Sequence, residues 1–268
     1  MYLCIDIGGT KTIVALVSST GEVLHSVRFA TISDQNIFYE NLLQQIRVNF
    51  VLSGIKAISI AMPGIIKRNQ AVWLGNLPWH DFDLAKLLQR DLSDIPVFVE
   101  NDANLAALAE ARLCKGRSLY LTFSTGIGGG IVEDGQLVKR YSDFEPGHTE
   151  FVFEGKTKEW EDIAAASAIN AKYGRLVSTI TEKDIWSDVI DRMLLGLTPI
   201  TISLHPDRII FGGPLGLMLP SYRKELKKRL AASLPADHTP PRLHVAKYHD
   251  LSVIYGCYYY AKLKLAAK

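Results

Sequence analysis

Cysteine is scarce. The chain holds three in 268 residues, Cys4, Cys114 and Cys257, far apart and with no C-x-x-C pair. An odd number at such spacing gives neither a disulfide framework nor a thiolate zinc site. Cys4 lies in an apolar strand and Cys257 in an apolar helix, where a thiol acts as a small hydrophobe. No apolar run approaches the ~18 residues that a membrane span needs. No charged n-region followed by an apolar h-region opens the chain, so a reducing cytoplasm is the expected compartment. Neither sign of charge dominates: 30 Lys and Arg stand against 28 Asp and Glu, a net charge of +2. The densest basic run, R-K-E-L-K-K-R at 223–229, reads as a solvated helix face. Neither a nucleic-acid partner nor a membrane surface is expected.

What the chain does have is an ordinary globular composition, 48% hydrophobic and 22% charged, enough for one large domain or two modest ones. The pattern predicts strands at 2–7, 13–17 and 22–30, an antiparallel meander. A helix with apolar residues at helical spacing follows at 35–52. A buried strand at 57–62 stops at Pro63-Gly64. A helix at 84–92, a short strand at 97–99 and an Ala-rich helix at 103–113 complete the first half. After Gly116 the order starts again: a strand at 119–123, a glycine run, then a strand at 131–133. Helices are expected at 160–172, 186–198 and 221–234, with strands at 208–211 and 243–246. Asp250 is placed to N-cap a last helix at 251–265. The recurrence of strand, glycine turn and strand reads as a second copy of one unit. The boundary is drawn at Lys115-Gly116.

Five groups of residues carry candidate chemistry. Asp6-Ile7-Gly8-Gly9-Thr10-Lys11-Thr12 can turn tightly and bring backbone N–H groups to a phosphate. Thr10 and Thr12 add hydroxyls, and Asp6 could hold Mg²⁺ through water. An ordinary Gly-Gly hairpin fits the same residues. Ser124-Thr125-Gly126-Ile127-Gly128-Gly129-Gly130 is glycine-dense but carries no following Lys, so it is not a Walker A loop. Two glycine turns in matching places suggest a clamp on a polyphosphate. Phe211-Gly212-Gly213 ends a buried strand and either leaves room for a flat ring or is a bare strand-to-helix turn. Glu100-Asn101-Asp102-Ala103-Asn104 spans a strand-to-helix junction. Asp102 there is either a base within reach of a hydroxyl or, like Asn101, only a helix cap. Glu145-Pro146-Gly147-His148 and Trp160-Glu161 offer groups that suit sugar hydroxyls, which both donate and accept, but a structural or solvent-facing His148 fits the same residues and their chemistry alone does not identify a sugar site.

Taken in order, these motifs resemble the ROK family (repressors, open reading frames, sugar kinases). D-I-G-G-T-K at 6–11 is similar to its first phosphate motif, A-M-P-G at 61–64 to its G-x-P-G turn, and N-L-P-W at 76–79 to the segment that closes over sugar. E-N-D-A-N at 100–104 resembles its catalytic motif, S-T-G-I-G-G-G at 124–130 its second phosphate motif and F-G-G at 211–213 its adenosine motif. The resemblance implies an α/β fold of two ribonuclease-H-like lobes around a central cleft, in the superfamily of actin, hexokinase and heat-shock-protein 70. The lobes would be 1–115, joined by the C-terminal helix 250–265, and 116–249. It implies ATP-dependent phosphorylation of a hexose hydroxyl, the 6-position of glucose first, with Mg²⁺. Asp102 would be the base. Asn76, Asn101, Asp102, Glu145, His148 and Glu161 would hold sugar. Gly8, Gly9, Thr10, Lys11, Thr125, Gly126, Gly128, Gly212 and Gly213 would hold nucleotide. A homodimer is the family-based expectation.

One departure stands out. Many family members carry C-x-C-G-x-x-G-C-x-E after the E-x-G-H segment and bind structural zinc. The cysteine positions here hold Val152, Glu154 and Glu159, so no zinc is expected and the segment 151–158 reads as a less rigid loop. Other hexoses, N-acetylmannosamine, polyphosphate as donor, and a sensor without turnover remain compatible with these motifs. A DNA-reading domain is not expected, because D-I-G-G-T begins at residue 6.

Overall fold

The computed structural model describes residues 1–75, 77–92 and 95–267. The chain divides into two compact units, Met1–Ala109 with Leu251–Lys268, and Glu110–Asp250. This division falls inside a helix, upstream of the Lys115-Gly116 boundary drawn from sequence.

The first unit contains β1 (Tyr2–Ile7), β2 (Lys11–Val17), β3 (Val23–Ala30), α1 (Gln35–Asn49), β4 (Ala57–Met62), β5 (Ile65–Lys67), β6 (Gln70–Trp73), α2 (Leu84–Asp91), β7 (Val97–Asn101) and all but the last two residues of α3 (Asp102–Ala111). The second contains β8 (Arg117–Phe123), β9 (Ile127–Glu133), β10 (Gln136–Leu137), β11 (Glu150–Phe153), β12 (Lys156–Glu159), α4 (Trp160–Ala164), α5 (Ala166–Tyr173), α6 (Lys183–Leu204), β13 (Arg208–Gly212), α7 (Gly213–Leu217), α8 (Leu219–Ser233) and β14 (Arg242–Val245). The last helix, α9 (Ser252–Ala266), packs on β1 and β4 of the first unit.

The repeat read from element order is present in the pairing. One sheet runs β3-β2-β1-β4-β7 and the other β10-β9-β8-β13-β14. In each, a strand pairs antiparallel with its successor and parallel with a later strand, which pairs parallel with the next. The parallel strands of the first sheet are buried on both faces, so their residues divide by parity. Leu3, Ile5 and Ile7 join Ile58 and Ile60 against α1 and α2, while Tyr2, Cys4, Ala57 and Ala61 face Ile254, Cys257 and Tyr258 of α9. β7 is an edge strand, and edges leave backbone groups unpaired. Asn69 fills that role: its amide donates to Val97 O at 3.1 Å and its carbonyl accepts from Val99 N at 2.6 Å.

Four sequence expectations change. The glycine run is mostly strand, not turn: Gly128, Gly129 and Gly130 pair with Thr122, Leu121 and Tyr120, and the turn is confined to Ser124–Gly126. Gly129 is glycine because a Cβ there would stand 2.6 Å from the Phe144 ring. The segment 151–158 is a hairpin, not a loose loop, with Glu150 opposite Glu159 and Phe153 opposite Lys156. Its two-residue turn, Glu154-Gly155, takes φ of 52° and 75°, the left-handed pair that matches strand twist. The helix expected at 160–172 breaks at Ala165, whose ψ is 157°. Finally, α9 has no side-chain cap, because Asp250 is drawn into a single 3₁₀ turn, His249–Leu251.

Candidate active site

In the first unit the junction of β7 and α3 is built from the side chains of E-N-D-A-N. Asn101 is buried and acts as the cap: its Oδ1 accepts from Asn104 N at 2.9 Å, satisfying an orphan donor of the first turn. Its Nδ2 donates to Gly64 O at 2.8 Å. Gly64 belongs to A-M-P-G, sits at φ 86° and has Trp73 C within 2.9 Å of a would-be Cβ, so only glycine fits there. Glu100 completes the brace. Its Oε1 accepts from Asn101 N at 2.9 Å and Asn104 Nδ2 at 3.1 Å, and its Oε2 accepts from Tyr260 Oη of α9 at 3.2 Å.

With Asn101 as cap, Asp102 is released from that duty. Its Oδ1 accepts from Ala103 N at 2.7 Å. Burial is the larger influence and raises its pKa to about 6, against the pull of the backbone amides of Ala103 and Asp102 itself. Asp6, at the end of β1, is raised to about 7, first by burial and then by the charge of Asp102, with Lys11 and Arg28 drawing it back. Two neighbouring, half-buried carboxyls repel when both ionise, which favours a cation or a proton beside them. That donor set fits a hard divalent ion.

The turn that follows Asp6 is closed by Gly8 N to Lys11 O at 3.0 Å. Thr31 ties it from behind: its Oγ1 donates to Gly8 O at 2.7 Å and lies 2.9 Å from Thr12 Oγ1. Sequence reading missed Thr31 because it lies far along the chain in an unremarkable stretch. Gly9 is telling in another way. No atom lies within 4 Å of the position its Cβ would take, and its φ is not in the left-handed region. The fold does not require glycine there, and the opening leaves the Gly9 and Thr10 backbone approachable.

In the second unit, Glu145 precedes a 3₁₀ turn, Pro146–His148, and Glu161 lies in the first turn of α4. Trp160 fixes α4. It is fully buried, its Nε1 donates to Arg192 O at 3.1 Å, its backbone N donates to Thr149 O at 2.8 Å, and its ring fills the space left by Gly196. Glu161 Oε2 accepts from Ile127 N at 3.1 Å. The same carboxylate occupies the space beside Gly147 and Gly126, so a Cβ on either would meet it. The Ser124–Gly126 turn is also held by Ser167, whose Oγ donates to Thr125 O at 2.5 Å and whose N donates to Ser124 O at 3.1 Å.

His148 Nδ1 lies 2.9 Å from Glu159 Oε2. Burial pushes the imidazole down, but the Glu159 hydrogen bond and the charges of Glu161, Glu159 and Glu145 raise it above its ordinary value. Single donor atoms of His148, Glu159 and Glu161 lie within 4.8 Å of one another. The thiolate zinc site of the family does not fit these residues. Val152 points to solvent, Glu154 lies 3.7 Å from Arg192, and Glu159 is bonded to His148. The hairpin is held by protein groups: Arg192 stacks over the Phe153 ring at 4.7 Å and pairs with Asp188 at 2.7 Å.

Gly212 and Gly213 have internal reasons to be glycine. A Cβ on Gly212 would run into Tyr120, and Gly213 has φ 71° and the Phe123 backbone against it. Gly128 lies within β9, and Lys11 and Thr125 are exposed. Asn76 lies outside the described residues. Its neighbour Trp79 is core, with Nε1 donating to Ser33 O at 2.9 Å.

Two α/β units of like topology, each with a polar strand-end turn, define the fold class shared by actin, hexokinase and heat-shock-protein 70. The ROK family model matches residues 2–264, and the chain belongs to that family. A fructokinase from Lactococcus lactis subsp. cremoris is 28% identical over 232 residues, 79% of this chain and 78% of that one. A glucokinase from Halalkalibacterium halodurans is 26% identical over 312 residues, 95% of this chain and 93% of that one. Among solved structures, a ROK family glucokinase from Streptomyces griseus in complex with glucose and AMPPNP superposes with a TM-score of 0.79 at 21% identity, covering 98% of this chain and 99% of that one. No helix among the described residues is long and apolar enough to cross a membrane.

Proposed function

We propose that this sugar kinase of the ROK family moves the γ-phosphoryl group of Mg·ATP to the 6-hydroxyl of a hexose, with glucose first among the acceptors. The observation that carries the reading is Asp102: a carboxyl with pKa about 6, freed from capping by Asn101, beside Asp6 at the mouth of the Gly8-Gly9 turn.

Phosphoryl transfer to an alcohol needs positioning, charge stabilisation and one base. Asp102 takes the hydroxyl proton as the sugar oxygen bonds to the γ-phosphorus. The bond from that phosphorus to the bridging oxygen breaks, and ADP leaves with the electron pair. A base of pKa about 6 is ionised at neutral pH yet basic enough to accept a proton. In the first unit the amides of Gly9 and Thr10 would meet phosphate oxygens and Asp6 would hold magnesium, which would neutralise phosphate charge; in the second unit Thr125 and Gly126 would meet phosphate oxygens. Glu145, His148 and Glu161, with Asn76 and Asn101, hold the remaining hydroxyls. Gly8, Lys11 and Gly212-Gly213 keep nucleotide roles as supports of their turns. Gly128 keeps its place through the strand it belongs to. The proposal retains the lobes 1–115 with 250–265 and 116–249. It takes the protein as a cytoplasmic homodimer that needs no zinc.

The test is ADP release from Mg·ATP across a panel of hexoses and N-acetylhexosamines. ADP that depends on glucose supports the reading. Turnover with fructose, mannose or N-acetylmannosamine alone moves the acceptor and keeps the mechanism. Sugar binding with no ADP from any member turns the chain into a sensor.

A further inference from the structure

Glu161 is bonded to the wrong place for a residue that only recognises sugar. Its Oε2 accepts from Ile127 N at 3.1 Å, directly after the Ser124–Gly126 turn. A Cβ on Gly147 would lie 2.6 Å from Oε2, and one on Gly126 would lie 3.1 Å from Cδ. Gly126 therefore makes room for this carboxylate alone, and Gly147 for both the carboxylate and the Ile127 carbonyl. The need for glycine at 126 is met by the protein's own side chain before any nucleotide arrives.

We infer that Glu161 is a positioning residue for the phosphate turn, and that sugar occupancy and nucleotide affinity are coupled through its carboxylate. The inference rests on the sugar-kinase reading for the identity of the two ligands. A carboxylate has about four acceptor sites on two oxygens. Ile127 N uses one on Oε2, which leaves the others for sugar hydroxyls. A hydroxyl bonded there fixes the orientation of the carboxylate. That fixes the Ile127 amide and with it the turn whose far side is already tied to Ser167. The carboxylate is itself aimed by Trp160, one residue earlier, through the Arg192 and Thr149 carbonyls. Reciprocity follows from linkage: if sugar tightens nucleotide, nucleotide tightens sugar by the same factor.

The experiment is calorimetric titration of Mg·AMPPNP into wild type, Glu161→Gln and Glu161→Ala, each with and without saturating glucose. In wild type, sugar should tighten the nucleotide by about fivefold or more, the lower range of allosteric coupling. Glu161→Ala should weaken nucleotide binding without sugar and reduce the sugar effect below about twofold. Glu161→Gln keeps an acceptor for Ile127 N and should hold nucleotide affinity closer to wild type. A size test needs no ligand: Gly126→Ala should lower the melting temperature in wild type, and less so in the Glu161→Ala background. Nucleotide affinity unchanged in Glu161→Ala, with only the sugar constant altered, overturns the inference and leaves the kinase standing. Absence of sugar-dependent ADP release removes the kinase reading instead. The sugar-free nucleotide titration and the size test still decide whether Glu161 positions the turn.

Discussion

Replacing Asp102 by Asn should abolish turnover and stabilise the protein, by an amount that depends on pH. A carboxyl whose pKa moves from 3.8 in the unfolded chain to about 6 in the folded one opposes folding wherever the unfolded form is ionised. The sign is fixed by linkage: the penalty is absent below pH 3.8, grows between pH 3.8 and about 6, and is constant above. At full desolvation it is ~3 kcal/mol, since a tenfold change in a proton equilibrium is ~1.4 kcal/mol. Asp102 is partly exposed, and solvent screening brings this to ~1–2 kcal/mol. Asn keeps an oxygen to accept from Ala103 N and removes the charge that helps raise Asp6. The melting temperature of D102N should therefore exceed wild type at pH 8 by about 2–8 °C, and the gain at pH 4.5 should be roughly a third as large. The kcat should fall by about 10²–10⁴, with sugar binding little changed. A variant that is no more stable at pH 8, or gains equally at both pH values, refutes the buried-base account.

The wild-type kcat/KM for sugar should rise with pH through about 6, as Asp102 ionises; a flat profile from pH 5 to 7 would count against Asp102 as base. Gly9→Ala has open space around its Cβ, so it should leave the melting temperature unchanged while raising the KM for ATP by about tenfold. Gly129→Ala, aimed at Phe144 and Pro146, should instead destabilise by ~1–3 kcal/mol, read by denaturant unfolding. Arg192→Met removes the stack on Phe153 and the partner of Asp188. Paired thermal melts should show a loss of several degrees, and the sugar KM should rise because β12 leads into Glu161. A zinc-specific chelator should change neither the melting temperature nor activity. Loss of either would point to an ion held by His148, Glu159 and Glu161.

Much of the architecture was legible in the sequence because it is local. Apolar runs that end in Gly or Pro, such as 57–62, gave the parallel strands, and Ala-rich 103–113 gave a helix close to its observed bounds. Order alone exposed the repeat. The hairpin at 150–159 was not legible, since cysteine loss argued for a loose loop while Glu154-Gly155 was an unread turn signal. The glycine run at 124–130 misled for a physical reason. Glycine serves turns, close approaches and strands that must pass a bulky ring, and sequence does not separate these uses.

Motif chemistry and its order along the chain were set by the sequence: glycine turns at strand ends, a carboxylate at a strand-to-helix junction, and no thiolate at 152, 154 or 159. Only the tertiary structure decided how each residue is used. Asn101 became the cap because Gly64, 37 residues away in sequence, offers its carbonyl, and that left Asp102 to ionise in a half-buried setting. Glu161 reached the Ser124–Gly126 turn because Trp160 is wedged against Gly196 of α6. Propensity and periodicity act over a few residues, whereas pKa values and the choice of hydrogen-bond partner depend on groups that only folding brings together.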